Sequence, residues 1–74
     1  MNAAQCRMAR AALQIGIRDI AKMAKVAPGT ISRLEVGEEL KPRTVEAIRH
    51  AFEKAGVAFT NGDESGVKLR KKKR

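Results

Sequence analysis

Gly29, Ser32, Arg33 and Val36 share one side of a short helical segment, Pro28 to Val36, once Ile31 and Leu34 are turned inward at about 100° per residue. The chemistry open to such a set is recognition of base edges. A guanidinium at Arg33 donates two hydrogen bonds to the paired acceptors of a guanine, a hydroxyl at Ser32 addresses any base or a phosphate, and Val36 meets a thymine methyl. Gly29 is the unusual member. A helical glycine costs about 1 kcal/mol relative to alanine, so its place in the first turn points to a backbone brought close to a partner, the other reading being a loosely specified helix start. The partially positive end of the helix opens on the same side.

Other segments must hold that side outward. Ile20, Ala21 and Ala24 form the apolar stripe of a helix over 17–25, Val26 plugs the turn, and the small alanines let the two helix axes approach closely. Pro28 suits a first helical turn, and Gly37 suits a left-handed helix end. A first helix over 3–13, capped by Asn2, and a fourth over 42–55, with Val45, Ile48, Phe52 and Ala55 on its inner side, complete the set, with Gly16, Gly37 and Gly56 marking ends. Beyond Gly56 the pattern changes. Segments 57–60 and 67–69 alternate apolar and less apolar residues around the turn-forming NGDESG, as two short strands would. The organisation expected is a helical domain over 1–56, a β segment over 57–70 and a basic tail over 71–74.

From Arg10 to Arg43 the chain resembles the phage repressor and Cro-type (XRE-like) helix-turn-helix regulators. The resemblance lies in IRDIAKMAKV, APGTISRLEVG and LKPRTVEAI, and most specifically in TISRLE followed by Lys41-Pro42-Arg43. It implies a mainly α, lambda-repressor-like four-helix DNA-binding domain with a short C-terminal β-strand or hairpin, whose third helix reads double-stranded DNA. It also implies an ion pair between Arg10 and Glu35. A buried pair would cost about 3–5 kcal/mol to break, whereas an exposed one contributes about 0–1 kcal/mol; the position of Glu35 beside Leu34 favours the buried form. Phosphate contacts are implied at Lys41 and Arg43, with Arg10, Arg18 and Thr30 completing the set. Three positions depart from the family pattern: Ile17 replaces a common glutamine, Lys25 a common glycine, and Ala27 a common Ser or Thr cap.

Charge and composition narrow the remaining classes. Sixteen Lys and Arg face eight Asp and Glu, but six of the cations fall within 68–74, leaving ten against eight in the first 67 residues. The helical part is therefore mildly basic, and the LRKKKR run is either a solvated tail or a source of non-specific phosphate attraction. Enzymatic activity is not expected: the one histidine, His50, lies on the outer side of the fourth helix, and no metal-ligand spacing or glycine-rich phosphate loop is present. Neither a cofactor, a metal nor a small-molecule substrate is expected. The single cysteine, Cys6, shares a face with Ala9 and Leu13 and reads as a core residue. The sequence shows no signal peptide and no apolar run of membrane-spanning length, so a cytoplasmic, nucleoid-associated protein is expected. Val57, Phe59, Val67 and Leu69 are expected to build a homodimer by strand pairing across a two-fold axis, the alternatives being a hairpin folded on its own helices or a frayed end. Competing functions are a protein-interaction module of the same fold, antirepressor- or antitoxin-like, and a non-specific nucleic-acid binder.

Overall fold

Asn2 and Gln5 open the first helix by satisfying each other. The Gln5 amide N–H donates to Asn2 Oδ1 at 2.8 Å, and the Asn2 amide N–H donates to Gln5 Oε1 at 2.9 Å, a reciprocal cap that occupies two otherwise orphaned donors. In the computed structural model, which describes residues 1–60 and 66–69, helix α1 (Ala3–Leu13) is followed by α2 (Ile17–Ala24), α3 (Pro28–Glu35) and α4 (Pro42–Lys54), then by strands β1 (Val57–Thr60) and β2 (Gly66–Leu69). Of the turn expected over 61–66, residues 61–65 lie outside the described residues, as does the basic tail over 71–74, while Gly66 belongs to β2 and not to the turn. Among the described residues no helix is long and apolar enough to cross a membrane.

The first three helices end by the same device. A left-handed residue turns the chain back so that its own amide and the next close on the last turn: Gln14 and Ile15 on Ala11 and Arg10, Lys25 and Val26 on Lys22 and Ala21, Gly37 and Glu38 on Leu34 and Arg33. Glycine holds this position only after α3. Gln14 at φ 57° and Lys25 at φ 60° do it with side chains, and Gly16, expected to end α1, instead begins α2, its amide donating to Asp19 Oδ2 at 2.9 Å. The left-handed region costs a non-glycine residue about 1–2 kcal/mol, part of which glycine returns through unfolded-chain entropy. Lys25→Gly is accordingly expected to raise stability by about 0.5–1 kcal/mol, read as a rise of a few degrees in the thermal midpoint.

Cys6, Ala9, Ile20, Ala21, Ile31, Leu34, Ile48, Ala51, Phe52 and Val57 form one buried cluster, with every helix contributing. Val26 packs against it from the α2–α3 turn, and Phe59 meets Phe52 edge-to-face at a centroid distance of 6.0 Å.

The hairpin pairs Val57 with Leu69, Ala58 with Lys68, Phe59 with Val67 and Thr60 with Gly66. Directly paired residues share a face, so the four residues expected at a dimer interface lie together. That face is turned inward. Val57 is fully buried, and Phe59 and Val67 pack half-buried against the core; Leu69 alone is mostly exposed, at 56%. Within the single chain Val57, Phe59 and Val67 are thus drawn against the helices, and of the four Leu69 alone is left mostly exposed. Gln5 fastens the far end. Its Nε2 donates to the carbonyls of Thr60 (2.9 Å) and Gly66 (3.1 Å).

Candidate nucleic-acid interface

Helix α3 starts without a side-chain cap. Ala27 offers no acceptor, and Pro28 occupies the first position, where its missing N–H costs nothing. Ile31 and Leu34 are buried, which fixes the helix rotation, and Gly29, Ser32, Arg33 and Val36 face outward, Val36 at 78% exposure. The four residues expected at the recognition surface are thus brought onto one exposed side. Thr30 is half-buried beside them, and Arg18, Lys41 and Arg43 are exposed.

Behind that side, α3 is tied to α1 through Glu35. Its carboxylate takes Arg10 Nε on Oε2 at 2.7 Å and Arg10 Nη2 on Oε1 at 2.8 Å, and it accepts the Cys6 thiol on Oε2 at 3.3 Å. Arg7 Nη1 donates to the Glu35 backbone carbonyl. The Glu35 side chain is 8% exposed and that of Arg10 24%, so the pair is buried on its carboxylate side and partly open on its guanidinium side. The Arg10 hydrogen bonds hold the Glu35 carboxyl below the usual carboxylate range, overcoming the opposing effect of its burial. Burial, reinforced by the hydrogen bond to Glu35, pushes the Cys6 thiol up to about 12. A thiol so protonated is a packing group and a weak donor. Two roles were expected of Arg10; its Nε and Nη2 are held by Glu35, and its Nη1 lies 3.5 Å from the Ile15 carbonyl.

Ionic partners divide the surface. On α4, Arg49 pairs with Glu46 at 2.8 Å and approaches Glu53 at 4.0 Å, and His50 Nε2 sits 3.4 Å from Glu46. Arg18, Lys22, Lys25, Arg33, Lys41 and Arg43 make no ion pair among the described residues. The middle of α4 thus pairs its own charges, while the cations of α2 and α3, Lys41 before α4, and Arg43 and Lys54 at the two ends of α4 have no ion-pair partner among the described residues. Glu38 and Glu39, exposed just past the end of α3, bound that basic side.

Sequence reasoning missed three contributors. Gln5 carries a readable signal, the Asn-x-x-Gln spacing of a capping box, but its second attachment to residues 55 and 61 positions away has none. Arg7 gives no pattern of its own, because its partner is a backbone carbonyl. Lys22, one turn from Arg18, lines with Ala21, Val26 and Pro28 a notch of about 280 Å³ between α2 and α3.

Compared with known proteins, the chain matches no family model and no curated protein. The fold and this surface define a small, mostly helical domain with a short terminal hairpin. Its shape is compatible with a helix-turn-helix regulator and suits a module for binding protein or nucleic acid.

Proposed function

We propose that the chain is a sequence-specific binder of double-stranded DNA, a transcriptional regulator of the lambda-repressor-like, Cro-type class, with α3 as the helix that enters the major groove. The observation carrying this reading is the outward side of α3: Gly29, Ser32, Arg33 and Val36 are exposed together on a rigid, buried-backed helix, flanked by cations without acidic partners among the described residues. Arg33 and Ser32 supply base-edge donors, Val36 an apolar contact, and Lys41 and Arg43 with Arg18 the phosphate attraction that fixes register. The protein acts by occupancy, without catalysis, cofactor or small-molecule substrate, on chromosomal DNA in the cytoplasm. Selection of bound sequences from a random duplex pool tests this directly. An enriched motif is the expected result; recovery of no preferred sequence overturns the reading in favour of a protein-interaction module or a non-specific binder.

One reading helix covers only a few base pairs, and a two-fold dimer places two about 34 Å apart on one side of the duplex. We place the dimer contact at the hairpin, now through its unpaired strand edge and the exposed Leu69 alone. Leu69→Lys is expected to shift the protein from dimer to monomer in sedimentation while leaving its helical content intact. A wild-type monomer, or a variant that remains dimeric, removes this contact.

A further inference from the structure

We propose that an apolar groove beside the start of α4 holds this chain's own basic segment 70–74, and that Glu38 and Glu39 thereby withhold those cations from DNA. Met1, Leu34, Leu40 and Val45 line the groove, a space of about 340 Å³ between the entry to α1, the loop after α3 and α4, with Glu38 and Glu39 also on its wall. Met1, Leu40 and Val45 are only half-buried, so an apolar strip stays open beside two exposed carboxylates. Neither carboxylate makes an ion pair among the described residues. Such a surface suits a long cationic side chain, whose methylene stem lies along apolar atoms while its charged head reaches a carboxylate. A phosphate backbone is repelled from the same place.

The sequence supplies a matching occupant. Residues 70–74, Arg-Lys-Lys-Lys-Arg, are all cationic, and no other stretch of the chain has this character. Their attachment brings them within reach. Gln5, in the first turn of α1, donates through Nε2 to the Gly66 carbonyl at 3.1 Å, which sets the start of β2 against the end of α1 that opens on the groove. Strand β2 carries the chain about 10 Å beyond Gly66, and five extended residues span up to about 17 Å, enough to return. A tether this short gives an effective concentration on the order of millimolar, so that several exposed ion pairs, each worth about 0–1 kcal/mol, act together. What docking does to DNA affinity rests on the DNA-binding reading above; the docking itself does not.

Carbodiimide coupling of the full chain reads the docking without DNA, because it joins a carboxylate to an ammonium only where the two touch. In an equal mixture of isotope-labelled and unlabelled chain, the expected product is an amide between Glu38 or Glu39 and one of Lys71, Lys72 and Lys73, both halves coming from the same chain. Links of mixed isotope, or yields at Glu38 and Glu39 no higher than at the exposed Glu46, overturn the proposal. The effect on DNA is read as a cycle of variants. Glu38→Gln with Glu39→Gln is expected to bind a scrambled duplex about threefold or more tightly at low salt, with a log–log salt slope steeper by about 0.9 for each cation released. In a chain that also carries Lys71→Gln, Lys72→Gln and Lys73→Gln, that gain is expected to disappear. A gain of equal size there means that the two carboxylates act on DNA directly, and overturns the proposal. A wild type that binds no duplex defeats the DNA-binding reading alone, since the coupling pattern still decides the docking.

Discussion

Arg10→Ala is expected to lower the unfolding free energy by about 3 kcal/mol at pH 7, the scale of a buried ion pair broken from one side. The Glu35 carboxylate, 8% exposed, would keep only the Cys6 thiol as a side-chain partner, and the thiol is a weak donor. For a domain of this size, whose total stability is on the order of 5 kcal/mol, such a loss is most of the margin. The pH dependence gives the effect its signature. Because the folded pKa of Glu35 is depressed, the stabilisation is complete above the unfolded value near 4.3 and is lost as pH falls through the lower folded value. Urea unfolding of wild type and variant should therefore differ most at neutral pH and converge as pH falls through the depressed folded value. A gap that stays constant over this range would mean that Arg10 stabilises by packing its stem and not by its charge.

Arg33→Ala is expected to cost about 1–3 kcal/mol in binding to an enriched duplex, some 5- to 150-fold in affinity, and to relax selectivity at one base position. Arg33 is exposed and makes no ion pair among the described residues, so the thermal midpoint should barely move. That separation matters, because loss of binding in Arg10→Ala would follow from unfolding. A Ser32→Ala comparison supplies the scale, since a single hydroxyl contributes less than a two-pronged guanidinium. Wild-type affinity and unchanged selectivity of Arg33→Ala for the enriched duplex would remove Arg33 from recognition.

The four helices are legible in the sequence because their stripes are unambiguous: Ile31 and Leu34 permit one inward rotation of α3, and Ile48 and Phe52 one of α4. Asn2, Pro28 and Pro42 mark their starts through local chemistry that depends on no distant residue. What local pattern cannot carry is the far side of a contact. Alternation in 57–60 identifies a strand but not which neighbour covers it, and Val57 proves to lie against the helices of its own chain. The helix end at Gln14 is hidden for a different reason, since a left-handed turn announces itself when glycine makes it, whereas the turn at Lys25 is marked by the resemblance, which puts a glycine there. On α3 the outward residues follow from rotation alone, whereas the pairing of Arg10 with Glu35 is expected only through the family resemblance, because no spacing within the sequence joins α1 to α3.

The Gln5 side chain joins the cap of α1 to two carbonyls that arrive 55 and 61 residues later. During synthesis, which proceeds from the N-terminus at about 5–20 residues per second, that amide waits several seconds for its partners. The cap of α1 closes within its own first turn, whereas the Gln5 Nε2 finds both carbonyls only after Gly66 has been made, so the hairpin docks onto a helix that already stands.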